Sequence, residues 1–316
     1  MTEITISNIS SVDWDYIKYQ SNSSLYSFES LSVYENLDLL TITKQKQLLA
    51  IWPIPFIWKN GKKIAQRQIR LLPYHPPLLF KKHVLDKRKL ISALIEYIQD
   101  NYHAVDLPLS PGFDTLTPFS AAGIHVEWRN THVFTLAHSL HDHVHIKAKN
   151  HIRSAQKKVI VTCSKNADIF DFNLGIVTES YRMARKQLAS NLINSGRGVI
   201  FTALADDDVV GQALVVNDWQ TAYLFHTWFK KNTIRGVASL LVSTAYDWAL
   251  TNKQLQFFDL EGSIIPSIDR FFASLGGLQT PYAYIQWCRD QEEMLSMIRD
   301  TLFMNLRLQD KVKKII

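Results

Sequence analysis

The stretch FFDLEGSIIP at residues 257–266 sets two carboxylates two positions apart at the end of an apolar run. Side chains alternate faces along a strand, so Asp259 and Glu261 are expected on one face, with Phe258 and Leu260 on the other. Burying two acids without partners is costly. They must therefore meet cationic or hydrogen-bonding groups, or line a cleft and work there. An amine nucleophile must lose a proton as it attacks an activated carbonyl, and a carboxylate at a strand end could take it, directly or through a water. Glu261, beside the Gly262-Ser263 turn, is read as that base, and Asp259 as a structural neighbour within the same catalytic set. The dull alternative is that both acids pair with Arg270 or cap the next helix. His226, which follows TAYLF, is the other candidate base, because an imidazole needs little tuning to work near neutral pH.

A second group, RGVAS, comprises Arg235, Gly236, Val237, Ala238 and Ser239. Small residues opening a helix expose its first N–H groups, and with a neighbouring guanidinium these suit a pyrophosphate. An ordinary small-residue helix start is the competing reading. Lys149, Arg153 and Lys157 recur at four-residue steps, which fits a solvent face and also a phosphorylated substrate. Histidines stand at 138, 141, 143, 145 and 151, and His141 and His145 are spaced to share a zinc. No acidic ligand is fixed by the pattern, so no metal is expected.

The elements that must hold these groups are read from periodicity. Residues 34–58 read as strands with a polar break at Lys44–Gln47, and RLLPYHPPLLF as a rigid extended loop. DKRKLISALIEYIQD places Leu90, Ile91, Leu94, Ile95 and Ile98 at helical spacing. AVDLP and THVFTL read as strands. Val144, Ala148, Ile152 and Ala155 predict a helix, VIVTC a strand, and 168–190 a helix carrying Phe172, Ile176, Tyr181 and Met183. Three antiparallel strands then turn at Asp206–Asp208 and at Asn217-Asp218. RGVAS opens a helix to about Leu250, QFFDL is a strand, PSIDRFFASLG a short helix ended by glycine, and TPYAYIQW a strand.

With 316 residues, two domains are expected, divided near 138: residues 1–138 and 139–316. A hydrophobic content of 47% excludes a disordered chain. No apolar run reaches the roughly 18 residues of a membrane span. Neither a basic start nor an apolar signal core opens the sequence, so no export signal and a cytoplasmic protein are expected. Cys163 and Cys288 are too few for a disulfide framework, which fits a reducing interior. The net charge of +6 favours anionic partners without selecting among them, and the basic DKVKKII end reads as a solvated helix.

The order of elements resembles the GNAT acyltransferase fold. KNHIRSAQKKVIV, RGVASLLVSTAYDWAL, FFDLEGSIIPSIDRFFASLGG and PYAYIQW, with RLLPYHPPLLF and FSAAGIHVEWRNTHVFTL before them, are similar to the Fem-like branch of that superfamily. The resemblance runs from about Leu71 to Trp287. It implies an α+β protein of two tandem GNAT-like domains, each with a mainly antiparallel sheet flanked by helices. The N-terminal domain would serve the acceptor, and the C-terminal domain would carry the donor loop. It also implies an enzyme moving an acyl group other than an aminoacyl group from acyl-CoA, such as acetyl-CoA, to a primary amine in cell-envelope, sugar-nucleotide or amino-acid-like acceptors. Tyr74, His75, Arg153 and Ser263 are candidate substrate contacts, and the acceptor is expected in a cleft between the domains.

One departure bears on the donor. Thr233 stands where the family's pyrophosphate loop has Arg or Gln, although Arg235 lies beside it. Transfer from aminoacyl-tRNA, and a non-catalytic GNAT-like binding protein, therefore remain the alternatives. No stable membrane insertion is expected. The oligomeric state is not legible.

Overall fold

Alternating and near-continuous apolar runs, broken by polar turns, build most of the sheet structure, and apolar positions at three- and four-residue steps build the helices that cover it. The computed structural model describes residues 2–20, 25–66, 71–80, 83–172, 179–230, 234–262, 265–290 and 292. The chain divides into two compact units. One is Met1–Arg129 with the described residues from Pro281 onward; the other is Asn130–Thr280.

The first unit contains strands β1 (Thr2–Ser7), β2 (Leu37–Lys44), β3 (Gln47–Lys59), β4 (Lys62–Gln66), β5 (Leu78–Leu79) and β6 (Ala104–Pro108). Its helices are α1 (Trp14–Gln20), α2 (Phe28–Leu31), α3 (Val84–Asn101) and α4 (Thr117–Ala121). β1 to β4 pair antiparallel in succession, β5 adds to β3, and β4 pairs parallel with β6 after the chain crosses over through α3. α3 buries Leu90, Ile91, Leu94, Ile95 and Ile98, the stripe its sequence spacing predicted, against Trp52, Val105 and Phe119 of the same core.

β7 (His125–Thr135) leads from the first unit into the second. The second unit then holds α5 (Ile146–Gln156), β8 (Ile160–Ser164), α6 (Glu179–Asn194), β9 (Gly198–Ala205), β10 (Asp208–Asn217) and β11 (Thr221–Phe229). These are followed by α7 (Val237–Thr251), β12 (Phe257–Asp259), α8 (Pro266–Leu275) and the start of β13 (Leu278–Cys288). β8 to β11 pair antiparallel, and β11 pairs parallel with β12 after the crossover through α7. Val237, Leu241 and Ala245 of α7 and Ala148 and Ile152 of α5 fill one core with the apolar faces of β9 to β12.

The two units repeat one plan: a parallel strand pair joined by a helix, with an antiparallel neighbour beyond. In the first, β6 lies next to the second half of β13; in the second, β12 lies next to the second half of β7. The register repeats too, since Gln66 faces Asp106 and Tyr223 faces Asp259, each the last pair of its ladder.

Two expectations change. Residues 168–172 are not helical: a short 3-10 turn at Ala167–Ile169 gives way to extended chain, and α6 spans Glu179–Asn194. The cause is Gln212. Its side-chain oxygen accepts the Asp171 N–H at 2.9 Å and its amide donates to the Ile169 carbonyl at 2.7 Å, drawing the segment across the sheet. Ile176 lies outside the described residues. The segment RLLPYHPPLLF is loop from Leu71, as expected, but its end pairs with β3 as β5.

Candidate functional site

The second unit gathers the chemistry where β11, α7 and β12 meet. β11 and β12 pair only over Thr221–Tyr223 and Phe257–Asp259. β12 then ends, while β11 continues through Leu224 to Phe229 against β10 alone among the described residues. Its ladder to β10 skips a residue there: Leu214 faces His226 and Val215 faces Leu224, so Phe225 is a bulge. Bulges turn a strand and raise its local twist. The outcome is a parallel pair that closes at one end and leaves β11 unaccompanied at the other.

α7 starts from the loop after β11. Gly236 caps it in the left-handed region at φ +95°, and a Cβ there would come within 2.3 Å of the His151 carbonyl oxygen. Only glycine lets this loop close on α5. The first turn of α7 carries no acidic residue. Leu240 N–H makes a helical bond to the Gly236 carbonyl at 2.9 Å, and Val237 N–H reaches the Ile234 carbonyl at 3.3 Å. Arg235 is exposed, Val237 and Ser239 are buried, and Ala238 is half-buried. The His151 imidazole is held below its ordinary pKa, first by desolvation and then by the Arg235 guanidinium. Arg153 is exposed on the same α5. The cationic end of α7 is therefore an arrangement that favours an anion.

The acids are separated by a turn rather than by strand alternation. β12 ends at Asp259, and Glu261 takes the left-handed region at φ +60°, followed by Gly262 at φ +60°. The expected shared strand face of the two acids is thus corrected. Asp259 is 2% exposed and its Oδ1 accepts the Glu261 N–H at 2.8 Å and a short hydrogen bond from the Thr131 hydroxyl of β7. A Cβ on Gly262 would stand 2.4 Å from the Asn130 carbonyl oxygen, so the turn presses directly on β7. A carboxylate accepting its own chain's N–H two residues on is the Asx-turn geometry that supports such a bend. Glu261 is half-buried. Arg270 is exposed and donates to the Pro266 carbonyl at 3.2 Å. Ser263 and Thr233 lie outside the described residues.

Beside Asp259, Tyr223 is buried and donates to Asp218 Oδ2 at 2.8 Å. Its hydroxyl is pushed well above its ordinary pKa by burial and by the charges of Asp218 and Asp259. Asp218 accepts the N–H groups of Gln220 at 2.7 Å and Thr221 at 2.6 Å, which makes the β10–β11 turn. Burial still lifts its carboxyl above the usual range. His226 is 8% exposed on β11, its ring 5.4 Å from Phe170 and edge-on to it.

Tyr74 and His75 belong to the first unit. Tyr74 is buried with its ring 5.3 Å from Tyr282. His75 has 0% exposure; its N–H donates to the Pro108 carbonyl at 2.7 Å and its own carbonyl accepts the Trp52 indole N–H. The remaining described candidates, from Arg153 to Glu261, all sit in the second unit. Sequence reasoning missed Thr131, Gln212, Tyr223 and Arg185. Gln212, a lone amide inside VVGQALVV, was the detectable one. Among the described residues no three or more His, Cys, Asp or Glu form a group able to hold a metal, and no helix is long and apolar enough to cross a membrane.

No protein-family model and no curated protein matches the sequence. Solved structures do match in fold. FemX aligns with a TM-score of 0.61 at 10% identity, over 89% of this chain and 96% of that one. A tandem GNAT protein from the clavulanic acid biosynthesis pathway aligns at 0.58 with 12% identity, over 91% and 98%. The C-terminal domain of a putative lysylphosphatidylglycerol synthetase from Agrobacterium fabrum aligns at 0.58 with 13% identity, over 92% and 94%. The chain therefore has the Fem-like fold of two GNAT-like domains, mixed α and β with mainly antiparallel sheets.

Proposed function

We propose that this protein is an N-acyltransferase, moving an acyl group other than an aminoacyl group from acyl-CoA to a primary amine. The observation that carries the reading is the parallel pair β11–β12, which ends while β11 runs on past a bulge, with the acid-free start of α7 and Arg235 immediately following. An extended donor could lay its pantetheine-like arm along the unaccompanied edge of β11 and place its pyrophosphate at α7, contacting Arg235 and the backbone from Gly236 to Ser239. Acetyl-CoA is the donor to test first, since the neighbours in fold include a tandem GNAT protein whose structure was determined without AcCoA.

In this reading the amine attacks the thioester carbonyl, the N–C bond forms and the C–S bond breaks. The ammonium proton passes to Glu261, and the thiolate leaves to be protonated from solvent. Backbone N–H groups of β11 stabilise the oxyanion. Asp259 holds the turn that presents Glu261, and His226 stands as the alternative base. Ser263 and Arg153 contact the acceptor, while Tyr74 and His75 shape the acceptor side within residues 1–138, and 139–316 bind the donor. The acceptor is a small amine of the cell-envelope, sugar-nucleotide or amino-acid-like class, met in the cytoplasm.

The test is thermal unfolding of the pure protein with acetyl-CoA, a longer acyl-CoA, or tRNA. A rise of several degrees with a CoA ester that persists in moderate salt supports the reading. Stabilisation by tRNA alone, lost steeply as salt rises, would move the donor to aminoacyl-tRNA. No response to any CoA ester overturns acyl-CoA as donor.

A further inference from the structure

The bulge at Phe225 has a partner that the reading above does not use. Arg185 sits on α6 at 2% exposure, an unusual place for a guanidinium. Its Nη2 donates to the Phe225 carbonyl at 2.9 Å, and its Nη1 donates to the Tyr181 hydroxyl at 3.2 Å. The guanidinium carbon lies 5.0 Å from the centre of the Phe225 ring. One buried side chain therefore holds the bulged residue by both its carbonyl and its ring.

This matters because a bulge leaves its extra residue without a ladder partner, and a buried carbonyl without a donor is costly. Arg185 supplies that donor. Without it, the cheapest repair is to pair β11 with β10 in continuous register, which shifts every later residue by one and turns its side chains to the opposite face. The residues affected are His226 to Phe229. His226 now packs on Phe170, and Trp228 donates to Gln212 Oε1 at 3.0 Å, the same oxygen that anchors Asp171. Both contacts made by β11, His226 on Phe170 and Trp228 on Gln212, depend on the present register.

We infer that Arg185 is a positioning residue, which locks the Phe225 bulge and so fixes the face on which His226 and Trp228 stand and the course of the β11 edge assigned to the donor. The last clause rests on the function proposed above; the bulge lock does not.

The test pairs a ligand-free measurement with a ligand-dependent one. Arg185→Leu keeps an apolar stem and removes the donor, while Arg185→Lys restores a donor without the planar fork. Amide hydrogen exchange in the peptide covering Leu224–Phe229 is expected to rise at least tenfold in Arg185→Leu, with β9 unchanged and Arg185→Lys intermediate. Unchanged exchange over Leu224–Phe229, or an equal rise throughout the unit, overturns the lock. Should Arg185→Leu not fold, Arg185→Lys decides alone: a local rise supports the lock, and wild-type or uniformly raised exchange overturns it. Titration with CoA is expected to show at least tenfold weaker binding in Arg185→Leu. Equal affinity in a variant whose exchange has risen overturns the link to the donor edge. A wild type that does not bind CoA at all overturns the donor assignment, leaving exchange to judge the lock.

Discussion

Replacing Asp259 tests whether the turn that presents Glu261 is held by a buried carboxylate. Its Oδ1 accepts the Thr131 hydroxyl and the Glu261 N–H, and Thr131 has 0% exposure. Asp259→Ala leaves two buried donors without an acceptor, at about 1–3 kcal/mol each, for a loss of about 2–6 kcal/mol. Asp259→Asn keeps an oxygen that can accept both hydrogen bonds, at neutral rather than charge-assisted strength, and should cost a smaller ~1–3 kcal/mol. Thr131→Val removes one of the two bonds with little change of shape and should cost about 1–2 kcal/mol. Because Thr131 and Asp259 touch, the Ala-Val double variant should lose less than the sum of the singles. Urea unfolding measures all four, read as the midpoint at unchanged slope. If Asp259→Ala came within about 0.5 kcal/mol of wild type, as an inconsequential surface change does, the reasoning would be refuted.

Other outcomes follow from the same geometry. Glu261→Gln should lower turnover by about two to four orders of magnitude with little change in melting temperature. Glu261→Gly, which removes a side chain from a left-handed position at φ +60°, should be equally inactive yet within about 1 kcal/mol of wild-type stability, since strain relief offsets the freer unfolded chain. Gly236→Asp would bring a Cβ within 2.3 Å of the His151 carbonyl oxygen, so it should destabilise the fold and cannot isolate the donor loop. Arg235→Glu is the cleaner probe: calorimetry should show at least tenfold weaker CoA binding at unaltered stability. The lowered His151 pKa should move upward when CoA binds, because a phosphate near Arg235 offsets the guanidinium; an NMR titration of the imidazole reads this directly. Asp218 has its carboxyl raised by burial, so the folded state binds the proton more tightly than the unfolded chain. Its contribution is present below the unfolded pKa of about 3.9 and is lost as pH rises through the folded value. Wild type should therefore lose stability relative to Asp218→Asn as urea midpoints are followed upward from about pH 3.5.

Much of the second unit was legible because its periodicities are unambiguous. The α5 stripe, the Asn217-Asp218 turn, the glycine start of α7 and the glycine stop of α8 are local signals, and local physics sets them. The 168–172 segment misled because Phe172 and Ile176 stand four residues apart, a spacing compatible with a helix, while the group that draws residues 169–171 out of it, Gln212, is some forty residues away. The acids misled for a related reason. Alternation holds only while a strand lasts, and β12 stops at Asp259, where a hydrogen bond from Thr131, 128 residues earlier, allows the chain to turn. Arg185 gave no signal at all: one arginine in an amphipathic helix reads as surface until the bulge it serves is seen.

The placement of β13 has a consequence for how the chain is made. Its residues Tyr284–Cys288 complete the ladder of β6, and Gln286 donates to the buried Asp106 across 180 residues of sequence. During synthesis, β6 emerges long before its neighbour exists, and until residue 288 leaves the ribosome it presents an open hydrogen-bonding edge beside an acid without that amide partner. The β6 ladder of the first unit is therefore completed only after Asn130–Thr280 of the second unit has been made. Such long-range closure is slow, and a chain interrupted near residue 280 would carry that edge permanently, with self-association between nascent chains as its natural outlet.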